Sequence, residues 1–242
     1  MLIVAHPVML LRTAFQLAIE QGCDAIELDV HLSADHELIV CHDPSINRTT
    51  NGKGLIKDLT AKELKQYDAG YWFSDELYGQ KIPLLEEVID IVPLDVNLII
   101  EIKNIPHRYE TIEQKLIDVL INTNRITSSI IISFDHHCLQ NIKTMAPDLK
   151  IGLLYKVNLI NHYRYTQLFN QQIYSLHPHY RTISESQIHE SITHGLKVFT
   201  WTVNRIEDMK QQIDNKVSGI ITDFPDKLGK LLVSLRNEAN NN

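Results

Sequence analysis

Ser129-Ile130-Ile131-Ile132-Ser133-Phe134, then a helix-like segment over 137–145, then Lys150-Ile151-Gly152-Leu153-Leu154-Tyr155, spell out one strand–helix–strand unit. The outer runs are short and apolar, and the segment between them has helical spacing. The same alternation extends both ways. Toward the C-terminus come a helix over 159–169, a strand over 173–177, a helix over 184–194, a strand over 197–203, a helix over 206–213, a strand over 219–222 and a last helix near 227–236. Toward the N-terminus lie a helix over 109–120, a strand over 97–103, a helix over 84–92 and a strand over 25–30. Residues 2–5 form the first strand. The helix after it, over 11–21, places Phe15, Ala18 and Ile19 on one side and stops at Gly22.

Repeated strand–helix units imply a parallel sheet. Eight apolar strands, beginning at Leu2, Ala25, Asn97, Ser129, Lys150, Ile173, Lys197 and Gly219, in 242 residues predict an α/β fold. The expected form is a closed (β/α)8 barrel of the TIM type with a small insertion after strand 2. No glycine-rich turn follows the first strand, which argues against a dinucleotide fold. The expected organisation is one domain over 1–236, an insertion at 31–83 and a disordered asparagine-rich tail at 237–242. The insertion contains the turn-rich run Arg48-Thr49-Thr50-Asn51-Gly52-Lys53-Gly54, and Thr60 and Glu63 stand at capping-box spacing.

With 44% hydrophobic and 22% charged residues, the composition is that of a soluble globular protein. The net charge is -7 and no basic patch stands out, so no nucleic-acid partner is expected. An acidic protein acting on an anionic phosphate needs a metal or local positive charge at its site. Cys23, Cys41 and Cys138 are few, scattered and odd in number, which points to reduced thiols in a cytoplasmic protein rather than a disulfide framework. The apolar start lacks a basic region and a cleavage site and is too short to span a bilayer, so no membrane span is expected.

Side chains alternate along a strand, so Glu27 and Asp29 share one face of the second strand while Ile26, Leu28 and Val30 share the other. Burying two carboxylates side by side demands a proton, a basic partner or a bound cation. Two oxygen ligands on one rigid strand suit Mg²⁺ or Ca²⁺; a surface strand with ordinary salt bridges is the alternative. Glu101 and Lys103 repeat the parity on the next barrel strand. They read either as a third carboxylate with a phosphate-binding lysine or as an internal ion pair. Barrel sites lie at the C-terminal strand ends, which also collects His6, His42, Phe134, His177, Trp201, Asn204 and Asp223. His6 and His42 are the candidates for proton transfer near neutral pH. Of the twelve histidines, those at 31, 36, 107, 136, 137, 162, 179, 189 and 194 are read as surface residues, and His177 as structural.

The ordered motifs Glu27-Leu28-Asp29-Val30, Val40-Cys41-His42-Asp43, Asn47-Arg48-Thr49-Thr50-Asn51-Gly52, Glu101-Ile102-Lys103, Thr200-Trp201-Thr202-Val203-Asn204 and Gly219-Ile220-Ile221-Thr222-Asp223-Phe224-Pro225 closely resemble the glycerophosphodiester phosphodiesterase family. The resemblance covers nearly the whole chain. It implies metal-dependent hydrolysis of small-molecule glycerophosphodiesters to glycerol 3-phosphate and an alcohol, within lipid and glycerol metabolism. By the same resemblance, Glu27, Asp29 and Glu101 match the metal ligands, and His6 and His42 the catalytic histidines. Lys103 matches a phosphate contact and Trp201 an aromatic near the substrate. The cofactor implied is a divalent ion, Mg²⁺ or Ca²⁺. A monomer or homodimer is expected.

One motif departs from the pattern. Where the family has His-Arg-Gly, a loop and Pro-Glu-Asn-Thr, this chain reads His6-Pro7-Val8-Met9-Leu10-Leu11-Arg12-Thr13. The loop is short and its phosphate-binding arginine is missing; proline in that place also removes a backbone donor. A catalytically impaired phosphodiester-binding relative, or a related lysolipid or sphingolipid phosphodiesterase, is the alternative reading.

Overall fold

A computed structural model describes residues 1–7 and 11–240. In chain order it begins with β1 (Leu2–Ala5), α1 (Arg12–Glu20), β2 (Ala25–Leu32), β3 (Leu38–Val40), α2 (Ala61–Leu64) and α3 (Leu85–Ile89). Then come β4 (Asn97–Ile102), α4 (Ile112–Asn122), β5 (Ser129–Ser133), α5 (His136–Met145), β6 (Lys150–Tyr155) and α6 (His162–Thr166). The chain ends with β7 (Ser175–Pro178), α7 (Glu185–Thr193), β8 (Lys197–Thr200), α8 (Ile206–Asp214), β9 (Gly219–Thr222) and α9 (Pro225–Asn240).

Strand order is β1-β9-β8-β7-β6-β5-β4-β2, and a β1–β2 pairing closes the ring. Among the described residues eight parallel strands thus form a closed barrel with helices between them, the (β/α)8 fold expected from the sequence. Strand β3 lies outside the ring, antiparallel to β2, with Val30 opposite Val40. Strand parity divides the core into two layers. Val4, Ala25, Ile99, Ile130, Ile132, Leu154, Phe199 and Ile221 pack inside the barrel. Ile26, Leu28, Leu98 and Ile100 face the other way, into the cluster that includes Phe15 of α1 and Leu116 of α4. Gly152 makes room in the interior: a Cβ there would stand 2.7 Å from the His177 ring and 2.5 Å from the Ser175 hydroxyl.

Several boundaries differ from the sequence reading. Strand β2 runs on to Leu32, beyond the 25–30 read from the sequence, because β3 supplies its hydrogen-bonding partner. Helix α6 is shorter than 159–169, because the Asn161 side chain accepts from the Arg164 N–H at 2.7 Å and starts the helix there. Helix α9 continues to Asn240, four residues into the stretch read as a disordered tail; residues 241–242 lie outside the described ones. Leu228 and Leu231 anchor that helix against Val198 and Ile220. In the insertion, Thr60 and Glu63 form the capping box at the start of α2, with Thr60 Oγ1 accepting from the Glu63 N–H at 3.2 Å. All three cysteines are buried and unpaired. No helix among the described residues is long and apolar enough to cross a membrane.

Candidate active site

The strand ends carry charge where the barrel interior gives way to solvent. Parallel pairing sets Asp29 of β2 directly beside Glu101 of β4, and Glu27 beside Ile99. Two carboxylates side by side in a buried setting repel each other. Lys103, just beyond β4, relieves this: its Nζ donates to Asp29 Oδ1 at 2.9 Å and to Glu101 Oε1 at 2.8 Å. Burial opposes the lysine's charge, but the two carboxylates outweigh it and push its pKa further up. Burial and the neighbouring Asp29 carboxylate raise Glu101 well above the usual carboxylate range. The same two causes raise Glu27 to about 7, with His6 and Lys103 acting against them.

His6 follows β1, and its placement comes from barrel closure. Ala5 pairs with Thr222 of β9, and the His6 N–H continues the ladder to the Thr222 carbonyl at 2.9 Å. That places the His6 ring against Asp223, with Nδ1 2.8 Å from Asp223 Oδ1, while Nε2 stands 3.5 Å from Glu27 Oε2. Burial alone would lower the imidazole's pKa; Glu27, the bond to Asp223 and Asp29 prevail and raise it to about 9. Asp223 is in turn held by Asn204, whose Nδ2 donates to Asp223 Oδ2 at 2.6 Å.

His42 reaches the same cavity after β3. Its Nδ1 lies 2.9 Å from Asp43 Oδ1, and Arg48 donates to both Asp43 oxygens, from Nε at 2.7 Å and from Nη2 at 2.9 Å. The Arg48 hydrogen bonds are the largest cause holding Asp43 down to about 2. Beneath it, His31 engages the His42 carbonyl through Nε2 at 3.3 Å and the Tyr109 hydroxyl through Nδ1 at 3.0 Å. Burial lowers His31 to about 4 and keeps it neutral.

A cavity of about 350 Å³ collects His6, Glu27, Asp29, His42, Glu101, Lys103, Phe134 and Trp201. The seven residues singled out for chemistry from the sequence therefore share one hollow. Lys103 is the only lysine or arginine among its described lining residues. Trp201 is fixed by an indole N–H bond to the His177 carbonyl at 2.8 Å and by an edge-to-face contact with Phe134 at 5.9 Å.

The metal trio is the point of difference. Ligand atoms of His6, Glu27 and Asp29 lie within 4.8 Å of one another. Glu101 is not in that group; it forms the internal ion pair with Lys103 that the sequence left open. The donor set still fits a cation, because Glu27 Oε2 and Asp29 Oδ2 are buried without a hydrogen-bond partner. Hard carboxylate oxygens left unsatisfied in a low-dielectric site are what a divalent ion satisfies.

Sequence reading misplaced two histidines and passed over three groups that bond to the cavity histidines or to their partners. His31 and His162, read as surface residues, are buried, because the Tyr109 and Tyr155 hydroxyls satisfy their Nδ1 atoms at 3.0 and 2.8 Å. His177 is sealed inside the barrel, stacked on Phe199 at 5.0 Å and bonded to Ser175, away from the cavity. The roles of Asp43, Asn204 and Asp223 were not drawn from the sequence, although Asp43 adjoins His42 and the other two stand at strand ends. Residues 8–10 of the short first loop lie outside the described residues.

A profile of the glycerophosphoryl diester phosphodiesterase family matches residues 12–227. A glycerophosphodiester phosphodiesterase from Caldanaerobacter subterraneus subsp. tengcongensis is 43% identical over 220 residues, 90% of each chain. Among solved structures, a glycerophosphodiester phosphodiesterase from Thermotoga maritima superposes with TM-score 0.74 at 28% identity, covering 96% of this chain and 98% of that one. An Oleispira antarctica phosphodiesterase in complex with its product sn-glycerol-3-phosphate superposes with TM-score 0.84 at 24% identity, covering 96% of each chain.

Proposed function

Since this chain belongs to the glycerophosphoryl diester phosphodiesterase family, we propose that it hydrolyses small glycerophosphodiesters to glycerol 3-phosphate and an alcohol, with the help of Mg²⁺ or Ca²⁺. The observation that carries this is the pair of buried oxygens of Glu27 and Asp29 that lack a hydrogen-bond partner, beside His6 at the barrel mouth. Glu27 and Asp29 would hold the ion, with His6 beside them and Glu101 adjoining through Lys103. When bound, a hard divalent cation withdraws charge from the phosphate oxygens.

The remaining work falls to the protein's own groups. Lys103 offers an ammonium to the phosphate from the cavity wall. His6 and His42 flank the phosphate, one taking the proton of the attacking hydroxyl and the other protonating the leaving alkoxide. Trp201 and Phe134 form an apolar wall for the glycerol carbons. The test is glycerol 3-phosphate release from glycerophosphocholine, with and without chelator. Release that stops on chelation and returns with Mg²⁺ or Ca²⁺ supports the reading; release that chelation leaves unchanged removes the metal from it.

Two features favour the other readings. Beside His6 lies an apolar cavity of about 330 Å³ lined by Ala14, Leu17, Phe73 and Leu77, which would suit a lysolipid chain. A human relative at 26% identity over 258 residues is a lysophospholipase D. Pro7, in the place of the family's arginine, favours an impaired enzyme. Assaying lysophosphatidylcholine beside glycerophosphocholine separates these cases: preference for the lipid selects the first, and no turnover of either selects the second.

A further inference from the structure

We propose that Asp223, braced by Asn204, is a positioning residue that holds the His6 ring with Nδ1 engaged and Nε2 turned into the catalytic cavity. This inference rests on the phosphodiesterase reading of the site and assigns roles to two residues beyond it. The bonds are specific. Asp223 spends one oxygen on His6 Nδ1 at 2.8 Å and the other on Asn204 Nδ2 at 2.6 Å. The Asn204 amide oxygen accepts from the Asp223 backbone N–H at 3.0 Å and from Thr222 Oγ1 at 3.1 Å. Asn204 thus grips Asp223 by side chain and main chain at once, which a surface ion pair formed by charge alone does not require. The backbone adds a second constraint, since the His6 N–H is bound to the Thr222 carbonyl.

A histidine with one ring nitrogen tied to a carboxylate has its orientation and the chemistry of its other nitrogen fixed. Here the free nitrogen is Nε2, which faces Glu27. The family's Arg-Gly after this histidine is missing from the chain. The clamp comes from the opposite end of the sequence, 217 residues away, and does not depend on that loop.

The test uses the full chain carrying Asp223→Ala, Asp223→Glu, Asn204→Ala and the Asp223→Ala/Asn204→Ala pair, each checked for folding by circular dichroism. With glycerophosphocholine, Asp223→Ala is expected to lower kcat by about 100-fold with KM within about threefold, the range typical of a group that orients a functional histidine. Asn204→Ala, which keeps both ends of the His6–Asp223 bond, is expected to lower kcat about tenfold. It should cost less than about twofold more when added to Asp223→Ala, because the two act through one bond. Asp223→Glu should recover part of the lost kcat. If Asp223→Ala does not fold, Asn204→Ala and Asp223→Glu carry the comparison. An unchanged kcat, a rise in KM with kcat intact, or losses that multiply in the double variant would overturn the proposal. Independently of turnover, the imidazole proton of His6, assigned by its absence in His6→Ala, should resonate downfield in the unsubstituted protein and lose that shift in Asp223→Ala. Failure to see it overturns the clamp itself. A downfield proton in a protein that releases no glycerol 3-phosphate overturns the functional reading, and with it the catalytic use of the clamp.

Discussion

His6 and His42 enter one cavity from two differently built corners. The His6 side chain is 25% exposed and the His42 side chain 56%. Each has a carboxylate on Nδ1, but they are supplied differently. His42 takes its partner from the next residue, and Arg48, five positions beyond Asp43, braces it. His6 takes its partner from the residue after β9, across the barrel seam, and Asn204, after β8, braces that one. A locally built support survives small movements of the barrel but stays open to water. A support built by barrel closure is less exposed at the histidine and exists only while the ring is closed. The difference teaches that the two histidines have unlike tolerance to change around them.

The largest expected effect separates them by metal linkage. His6→Ala and His42→Ala should each lower kcat by about 10²–10⁴-fold, the usual contribution of a positioned proton-transfer group. Only His6→Ala should also shrink the rise in melting temperature on adding Mg²⁺ or Ca²⁺, since only His6 stands in the cluster with Glu27 and Asp29. Equal losses of cation-linked stabilisation in both variants would erase the distinction.

Next in size is the floor between the corners. Lys103→Met leaves Asp29 and Glu101 buried without their shared cation, so about 3 kcal/mol of stability should be lost in chelator. Added divalent ion should return part of it. Urea denaturation in the two conditions measures this, and a variant as stable as the unsubstituted protein would show that the ion pair contributes nothing.

A smaller effect concerns the braces. Arg48→Ala should lower kcat only about threefold, since exposed ion pairs contribute little and water replaces the guanidinium. Steady-state kinetics decide it: a loss exceeding that of Asn204→Ala would invert the contrast between the corners.

The smallest is a pH effect. Asp43 is held at about 2 in the folded protein, below an unfolded value near 3.8, chiefly by the Arg48 hydrogen bonds. A carboxylate with a depressed folded pKa contributes stability that is present above the unfolded value and fades as the pH falls toward 2. The stability gap between the unsubstituted protein and Asp43→Asn should therefore be small at pH 6 and close between pH 4 and pH 2. A gap that stays constant over that range would place the effect elsewhere.

The sequence by itself determined the barrel. Eight apolar runs separated by amphipathic segments are a local, periodic signal, and burial of alternate residues fixes which side chains face inward. That parity alone brings Glu27, Asp29, Glu101 and Lys103 to one interior, and the adjacency of His42 and Asp43 is equally local. The tertiary structure decided what those charges do to one another. Strand register, which no single strand encodes, set Asp29 beside Glu101 and so made Lys103 their shared partner. Closure of β1 onto β9 gave His6 to Asp223. Tyrosine hydroxyls brought from distant or looped segments let His31 and His162 be buried, although their sequence neighbours read as surface. Periodicity reports how one segment divides itself between core and solvent. Pairing of charged groups depends on distances between segments, and those are set only when the ring closes.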